Sequence, residues 1–254
     1  VWLNNGDGTF SAGQGIGDRD TEGVVLGDLD GDGDLDAFFA NRSNQPNDVW
    51  MNDGTGNFTD SGQNLGNSSS LDLAIGDLDG DGDLDVFVVN SGPNEVWLND
   101  GTGIFSNNGQ NLGNALSLYV ALGDLDDDGD LDAFVANAGG PEVWLNDGAG
   151  NFSDSGQNLG SSNSYGVALG DIDGDGDLDA YVANGNPAQP NKVYRNEGAG
   201  IFTEIQSLGN SYTRGVALGD LDADGDLDAF DANRGPNEVW LNTGIADDRR
   251  RVHF

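Results

Sequence analysis

With 45 Asp and Glu against nine Lys and Arg, the 254-residue chain has a formal net charge of −36 and no basic face for nucleic acid or an anionic membrane surface. Its length suits one large all-β domain or two small ones with a sizeable core. There is no Cys to staple it, and no run reaches the ~20 apolar residues of a membrane span, so membrane insertion is not expected.

The chain opens with Val1-Trp2-Leu3-Asn4, a Gly-rich turn (Asn5-Gly6-Asp7-Gly8-Thr9) and Phe10. Asn and Gly tolerate the positive φ of tight turns, so this reads as a β-hairpin. The same phrase returns at Val49-Trp50-Met51-Asn52, Val96-Trp97-Leu98-Asn99, Val143-Trp144-Leu145-Asn146, Val193-Tyr194-Arg195-Asn196 and Val239-Trp240-Leu241-Asn242. The chain thus begins inside a repeat unit, and two expectations stay open: a leader removed by processing, or a fragment of a longer chain.

The next landmark is Asp28-Leu29-Asp30-Gly31-Asp32-Gly33-Asp34-Leu35-Asp36, flanked by Gly23-Val24-Val25-Leu26-Gly27 and Ala37-Phe38-Phe39-Ala40-Asn41. Further copies start at Asp77, Asp124, Asp171 and Asp220, at spacings of 49, 47, 47 and 49 residues. Each has Asp at loop positions 1, 3, 5, 7 and 9 and Gly at position 6, while position 4 varies (Gly31, Gly80, Asp127, Gly174, Ala223). Such dense acid repels itself unless a cation sits inside it, and alternating Asp with a central Gly is an oxygen-donor loop for a hard cation. Side chains 1, 3, 5 and 9 are expected to converge, with position 7 giving its backbone carbonyl. Calcium is the expected ion, about five in all, because zinc prefers nitrogen and sulfur and magnesium a tight octahedron with retained waters. Five ions would bring the charge to about −26.

An EF-hand would need a bidentate Glu at position 12 and flanking helices. Position 12 is Phe39, Val88, Val135, Val182 or Asp231, and the flanks are strand-length apolar runs. One unit therefore reads as strand (Gly166 to Gly170), metal loop, strand (Asp179 to Asn184), strand (Lys192 to Asn196), hairpin, and strand near Phe202. A polar segment such as Ser61-Gly62-Gln63-Asn64-Leu65-Gly66 then leads onward. Four short antiparallel strands at this period match a propeller blade. Middle strands apolar on consecutive residues, as in Ala133-Phe134-Val135-Ala136, must be covered on both faces. The fold expected is an all-β propeller of about five four-stranded antiparallel blades, with a calcium loop between the first and second strands of each; a β-sandwich or open solenoid is the alternative. It forms a single domain, 1–254, with an N-terminal half-blade at 1–22 and repeats at about 23–71, 72–118, 119–165, 166–214 and 215–254.

The Asp-x-Asp-x-Asp-Gly-x-x-Asp loop in a repeated four-strand unit resembles the FG-GAP/VCBS repeat family, which includes the propeller of integrin α subunits and many bacterial surface and secreted proteins. The resemblance runs from Val1 to Asn242. It implies a β-propeller with one calcium per blade loop, an extracellular, secreted or cell-surface setting, and a role in adhesion or recognition. Carried over by position, the ligands are Asp28, Asp30, Asp32 and Asp36 by side chain and Asp34 by backbone. The equivalent sets are Asp77, Asp79, Asp81, Asp83 and Asp85; Asp124, Asp126, Asp128, Asp130 and Asp132; Asp171, Asp173, Asp175, Asp177 and Asp179; and Asp220, Asp222, Asp224, Asp226 and Asp228. The Phe-Gly-Gly-Ala-Pro-like stretch that names the family is absent, Gly103-Ile104-Phe105 being the nearest echo, and relatives usually close with seven blades rather than five.

Five loops accompany six Val-Trp-Leu-Asn-type strands, so one hairpin is spare and offers a template for strand addition from another chain. The recurring Trp residues are expected to pack between blades rather than as sugar platforms, and Gln110 and Gln157 sit in polar linkers able to offer amides to carbohydrate. Asn-x-Ser/Thr sequons occur at Asn41, Asn57, Asn67 and Asn151. Catalysis is not expected: the one His is His253 in an anomalous tail beside Arg249-Arg250-Arg251, the one Lys is Lys192, and no nucleophile motif occurs. The functional expectation is a non-catalytic, lectin-like or adhesive module for an extracellular protein or glycan. The alternatives are a structural subunit joined by strand complementation, with self-association, and a non-catalytic module of a larger secreted enzyme.

Overall fold

A computed structural model describes residues 1–244; the Arg249-Arg250-Arg251 cluster and His253 lie outside the described residues. Strands β1 (Trp2–Asn4) and β2 (Phe10–Ala12) form a two-stranded hairpin. Four antiparallel four-stranded sheets follow in strict sequence order. The first holds β3 (Thr21–Gly27), β4 (Asp36–Asn41), β5 (Asp48–Asn52) and β6 (Phe58–Asp60). The second holds β7 (Ser70–Gly76), β8 (Asp85–Asn90), β9 (Glu95–Asn99) and β10 (Phe105–Asn107). The third holds β11 (Leu116–Gly123), β12 (Asp132–Ala138), β13 (Glu142–Asn146) and β14 (Phe152–Asp154). In the fourth are β15 (Ser164–Gly170), β16 (Asp179–Asn184), β17 (Asn191–Asn196) and β18 (Phe202–Leu208). A fifth sheet has β19 (Thr213–Gly219), β20 (Asp228–Asn233) and β21 (Glu238–Trp240). No helix occurs among the described residues.

The middle strands are covered on both faces: every residue of β8 and β16 is buried. Their partners are the neighbouring sheets. Each of four apolar clusters joins two successive sheets, as where Phe38 and Val49 of the first meet Val86, Trp97 and Phe105 of the second. The aromatic opening the fourth strand of the second, third and fourth sheets lies edge-on to a ring of the sheet before it: Phe38–Phe105 at 5.3 Å, Phe87–Phe152 at 5.1 Å and Phe134–Phe202 at 5.2 Å between centroids. Truncating one such ring to Ala would cost about 3–5 kcal/mol. Trp97 and Trp144 belong to these clusters, Trp50 and Trp240 are half-buried, and Trp2 in the lone hairpin is 70% exposed.

Side-chain amides reinforce the stacking. Asn99, Asn146, Asn196 and Asn242, each ending the Val-Trp-Leu-Asn phrase or its variant, donate Nδ2 to the carbonyl at loop position 2 of the preceding sheet, at 2.8–2.9 Å. Gln63, Gln110 and Gln157 accept the backbone N–H of Phe105, Phe152 and Phe202. The linker amides of Gln110 and Gln157 are therefore engaged within the fold rather than presented to a ligand. Of the sequons, Asn41 is fully buried.

One irregularity recurs in all five sheets. Thr21 pairs with Asn41 and Gly23 with Ala40, leaving Glu22 between them as a β-bulge. The same shift sets Leu71, Leu118, Tyr165 and Arg214 apart in the other first strands. The first strands consequently begin before Gly23 and its equivalents, and the unit boundaries at 71, 118, 165 and 214 fall inside strands rather than between them.

Candidate metal centres

Each Asp-rich segment joins the first strand of a sheet to the second. Two left-handed residues fold it: position 6 is Gly at φ 95–104° in every copy, and position 4 is also left-handed, even where it is Asp127 (φ 63°) or Ala223 (φ 67°). A side chain in that region costs about 1 kcal/mol or more, so the loop enforces its shape at two points, one of which its varied sequence hides.

The five loops distribute their carboxylates by position. Position 1 turns inward and takes the N–H of the position 6 Gly: Gly33 to Asp28 at 3.0 Å, Gly82 to Asp77 at 3.1 Å, and likewise for Asp124, Asp171 and Asp220. Position 9 is buried. In Asp132, Oδ2 accepts Leu125 N at 2.9 Å and Oδ1 accepts Asn146 N at 2.8 Å, and Asp36, Asp85, Asp179 and Asp228 repeat this bracket. It ties the loop to the third strand. Burial pushes four of these acids up despite the two amide donors: to about 6 in Asp85 and Asp132, to about 7 in Asp179, and upward in Asp36. Position 3 is raised as well, first by burial and then by the neighbouring Asp at position 5, in Asp79, Asp126 and Asp173.

Carboxylate oxygens of positions 1, 3 and 9 lie within 4.8 Å of one another in four loops: Asp77, Asp79, Asp85; Asp124, Asp126, Asp132; Asp171, Asp173, Asp179; and Asp220, Asp222, Asp228. In the first loop the triad is Asp28, Asp30 and Asp32. Asp81, Asp128, Asp175 and Asp224 at position 5 stand outside these triads and cap the loop instead, accepting the N–H of the position 7 residue at 2.9–3.1 Å. The position 7 carboxylates of Asp34, Asp83, Asp130 and Asp226 lie so close to Gly54, Gly101, Gly148 and Gly244 that a Cβ at any of those glycines would collide with them; Asp177 and Gly198 make the looser fifth case. This packing against the hairpin turn was not legible in the loop motif itself.

The donor set suits a hard divalent cation. The clustered ligands are all carboxylate oxygens, and Asp28 Oδ1, Asp124 Oδ1 and Asp126 Oδ1 are buried without a hydrogen-bond partner. None of the four ion pairs among the described residues uses a loop Asp. Carboxylates a few ångströms apart and ion-paired to no protein cation are a strong electrostatic liability that a bound ion relieves.

Tandem four-stranded sheets with an acid cluster in each first connection define an Asp-loop β-repeat protein. The chain belongs to the FG-GAP-like repeat family, matching it over residues 28–88, 77–135, 124–182 and 171–230. Among solved structures it is similar to a lectin from Agrocybe aegerita described as recognising non-reducing terminal N-acetylglucosamine. The TM-score is 0.56 at 20% identity, over 94% of this chain and 73% of the lectin; at that identity the likeness concerns the fold. No curated protein matches the chain.

Proposed function

We propose that this chain is a calcium-stabilised extracellular β-propeller of about five blades, acting as a non-catalytic recognition or adhesion module for a protein or glycan. The observation that carries the reading is the recurrence of one convergent carboxylate cluster per sheet, always between the first two strands and, among the described residues, never ion-paired to Lys or Arg. The residues that would hold calcium are the position 1, 3, 5 and 9 carboxylates and the position 7 carbonyls. The ion would replace Asp–Asp repulsion with attraction and lock each loop onto the third strand through its position 9 bracket. An arrangement about a common axis is supported by one cavity lined by residues from all five sheets. The lectin-like fold of the structural neighbour supports glycan as the ligand class.

Extracellular calcium modules bind with Kd of roughly 10⁻⁴ to 10⁻³ M. At tenfold excess each site adds about 1.4 kcal/mol by linkage, and five together about 7 kcal/mol, comparable to the whole stability of a domain. The test is a thermal melt in millimolar calcium and in EDTA, followed by a glycan array in calcium. A large calcium-dependent rise in Tm and saturable glycan hits are expected; a melt unchanged by EDTA would sink the metal reading, and a blank array the glycan one.

A second reading, assembly through the end sheets, is favoured by apolar residues left open there. Val24 and Leu26 of β3 are 54% and 56% exposed, and Phe230 and Val239 of the fifth sheet are 42% and 51% exposed. Light scattering separates the two readings, since assembly predicts species far above the 26.4 kDa protomer without any ligand.

A further inference from the structure

The five β-bulges have a shared destination. Glu22, Leu71, Leu118, Tyr165 and Arg214, the bulged residue of each first strand, line one cavity of about 270 Å³ together with Arg42. Bulges re-aim a side chain and are enriched beside functional sites. Here the same backbone device is kept in every sheet while the residue it aims differs each time, giving one acid, two aliphatics, one aromatic and one cation. A scaffold repeated at the level of the backbone thus carries an asymmetric set of side chains, as a binding site requires.

The charge of this cavity runs against that of the chain. Six Lys and Arg lie among the described residues. Four of them, Arg19, Arg42, Lys192 and Arg195, are ion-paired to a carboxylate. Arg214 and Arg234 make no such pair, and both converge on one ring: their guanidinium carbons lie 5.3 and 5.9 Å from the centroid of Tyr212. In a chain with 45 acids, two arginines gathered on a tyrosine rather than on a carboxylate mark a local cationic site. Tyr212 accepts a hydrogen bond from Arg214 Nη2 at 3.3 Å and packs edge-on against Tyr165 at 5.3 Å, so the cavity's aromatic wall and its cation are braced by the same ring.

The remaining charges do not cancel it. Glu22 is paired with Arg42, so that corner is neutral as a unit. Asp72, adjacent to Leu71, is engaged between the second and third sheets, where it accepts Val120 N at 3.2 Å. The acid loops lie at the opposite end of the first strands: β19 runs seven residues from Thr213 to Gly219, with Arg214 near its start and Asp220 just past its end. At ~3.3 Å per residue that separation is about 20 Å, more than two Debye lengths at physiological salt.

We infer that the bulge-lined cavity is a binding site for a carboxylate-bearing pyranose, the uronic-acid residue of an acidic glycan. The Arg214 guanidinium presents a planar fork matched to a carboxylate, Tyr165, Leu71 and Leu118 supply apolar faces for the ring, and the Glu22 carboxylate accepts from sugar hydroxyls. The volume admits one sugar ring, so the ligand enters by its terminal residue. This inference rests on the recognition reading above and names its ligand class.

The test is isothermal titration calorimetry of the chain in millimolar calcium with D-glucuronate, D-glucose and acetate. One saturable glucuronate site per chain is expected, with glucose and acetate each at least tenfold weaker. Arg214→Gln should weaken glucuronate at least tenfold and Arg214→Lys at least threefold, because the charge remains but the fork is lost. Lys192→Gln, on β17, should leave binding unchanged, and matching melts confirm that the variants fold. Glucose or acetate binding as tightly as glucuronate, wild-type affinity in Arg214→Gln, or no saturable glucuronate heat each overturns the inference. Neutral hits on the glycan array without glucuronate binding would overturn it while leaving the recognition reading intact.

Discussion

Replacing Asp132 by Ala separates what the buried position 9 carboxylate does for the fold from what it does for an ion. Asp132 is fully buried, with Leu125 N at 2.9 Å on one oxygen and Asn146 N at 2.8 Å on the other. Removing it orphans two buried amides at about 1–3 kcal/mol each, a loss of about 2–6 kcal/mol with or without metal. It also removes one member of the Asp124, Asp126, Asp132 triad, and with it about 1.4 kcal/mol of linkage at tenfold calcium excess. Urea unfolding in EDTA should therefore show the first loss, and unfolding in millimolar calcium the sum. Asp130→Ala is the comparison: its side chain touches the Gly148 turn rather than the triad, so it should cost under about 1 kcal/mol and leave the calcium increment intact. A loss below 1 kcal/mol in EDTA would refute the bracket; identical losses in EDTA and calcium would refute the triad as an ion site.

Two further substitutions test the packing between sheets. Burial raises Asp72 to about 6, above the ordinary 3.8, so its contribution is fully present below pH 3.8 and is lost as pH rises through about 6. In saturating calcium, Asp72→Asn should raise stability at pH 7.5 by at most about 3 kcal/mol, less whatever solvent screens at its open edge; an unchanged pH profile of Tm between pH 4 and 7 would refute the assignment. Asp231 occupies the place of Val88, Val135 and Val182, and its Oδ2 accepts from Tyr181 Oη at 3.0 Å, Asn191 Nδ2 at 2.7 Å and Trp240 Nε1 at 2.8 Å. Asp231→Val makes the repeat more regular yet should destabilise the chain by about 2–5 kcal/mol, because three donors lose their acceptor; a denaturation midpoint at or above wild type would contradict this.

What the sequence made legible were features fixed by period. Alternation of Asp with Gly at position 6 located the loops, and the in-phase Val-Trp-Leu-Asn phrase located the third strands, because both repeat at the spacing of the sheets. The division of labour within a loop was hidden, since five identical Asp residues say nothing about which one is buried: Asp132 at position 9 is enclosed by two backbone amides, whereas Asp130 at position 7 packs against Gly148, in a turn farther along the chain. The bulge was hidden for the opposite reason. Glu22, Leu71, Leu118, Tyr165 and Arg214 share a backbone position but no chemistry, and a bulge breaks the two-residue rhythm by which a strand face is recognised. The role of Asn at the end of the repeated phrase was equally silent, because its partner lies about 70 residues back in the preceding sheet.

That Asn gives the array a grain, like shingles on a roof. Each sheet reaches backward to pin the loop of the one before it, through Asn99 on the Leu29 carbonyl, Asn146 on Leu78, Asn196 on Leu125 and Asn242 on Ile172. Forward contacts take another form, the linker amides of Gln63, Gln110 and Gln157 reaching the hairpin and fourth strand of the next sheet rather than its metal loop, so the two ends of the stack are not interchangeable. The first four loops are each clamped by a successor, and the fifth, with Asp220 and Asp222 exposed, has no successor among the described residues. Neighbour-to-neighbour coupling of this kind makes a repeat array behave as a line of linked units, and here the line has a direction: the backward pins fall on acid loops and the forward ones on hairpins and fourth strands.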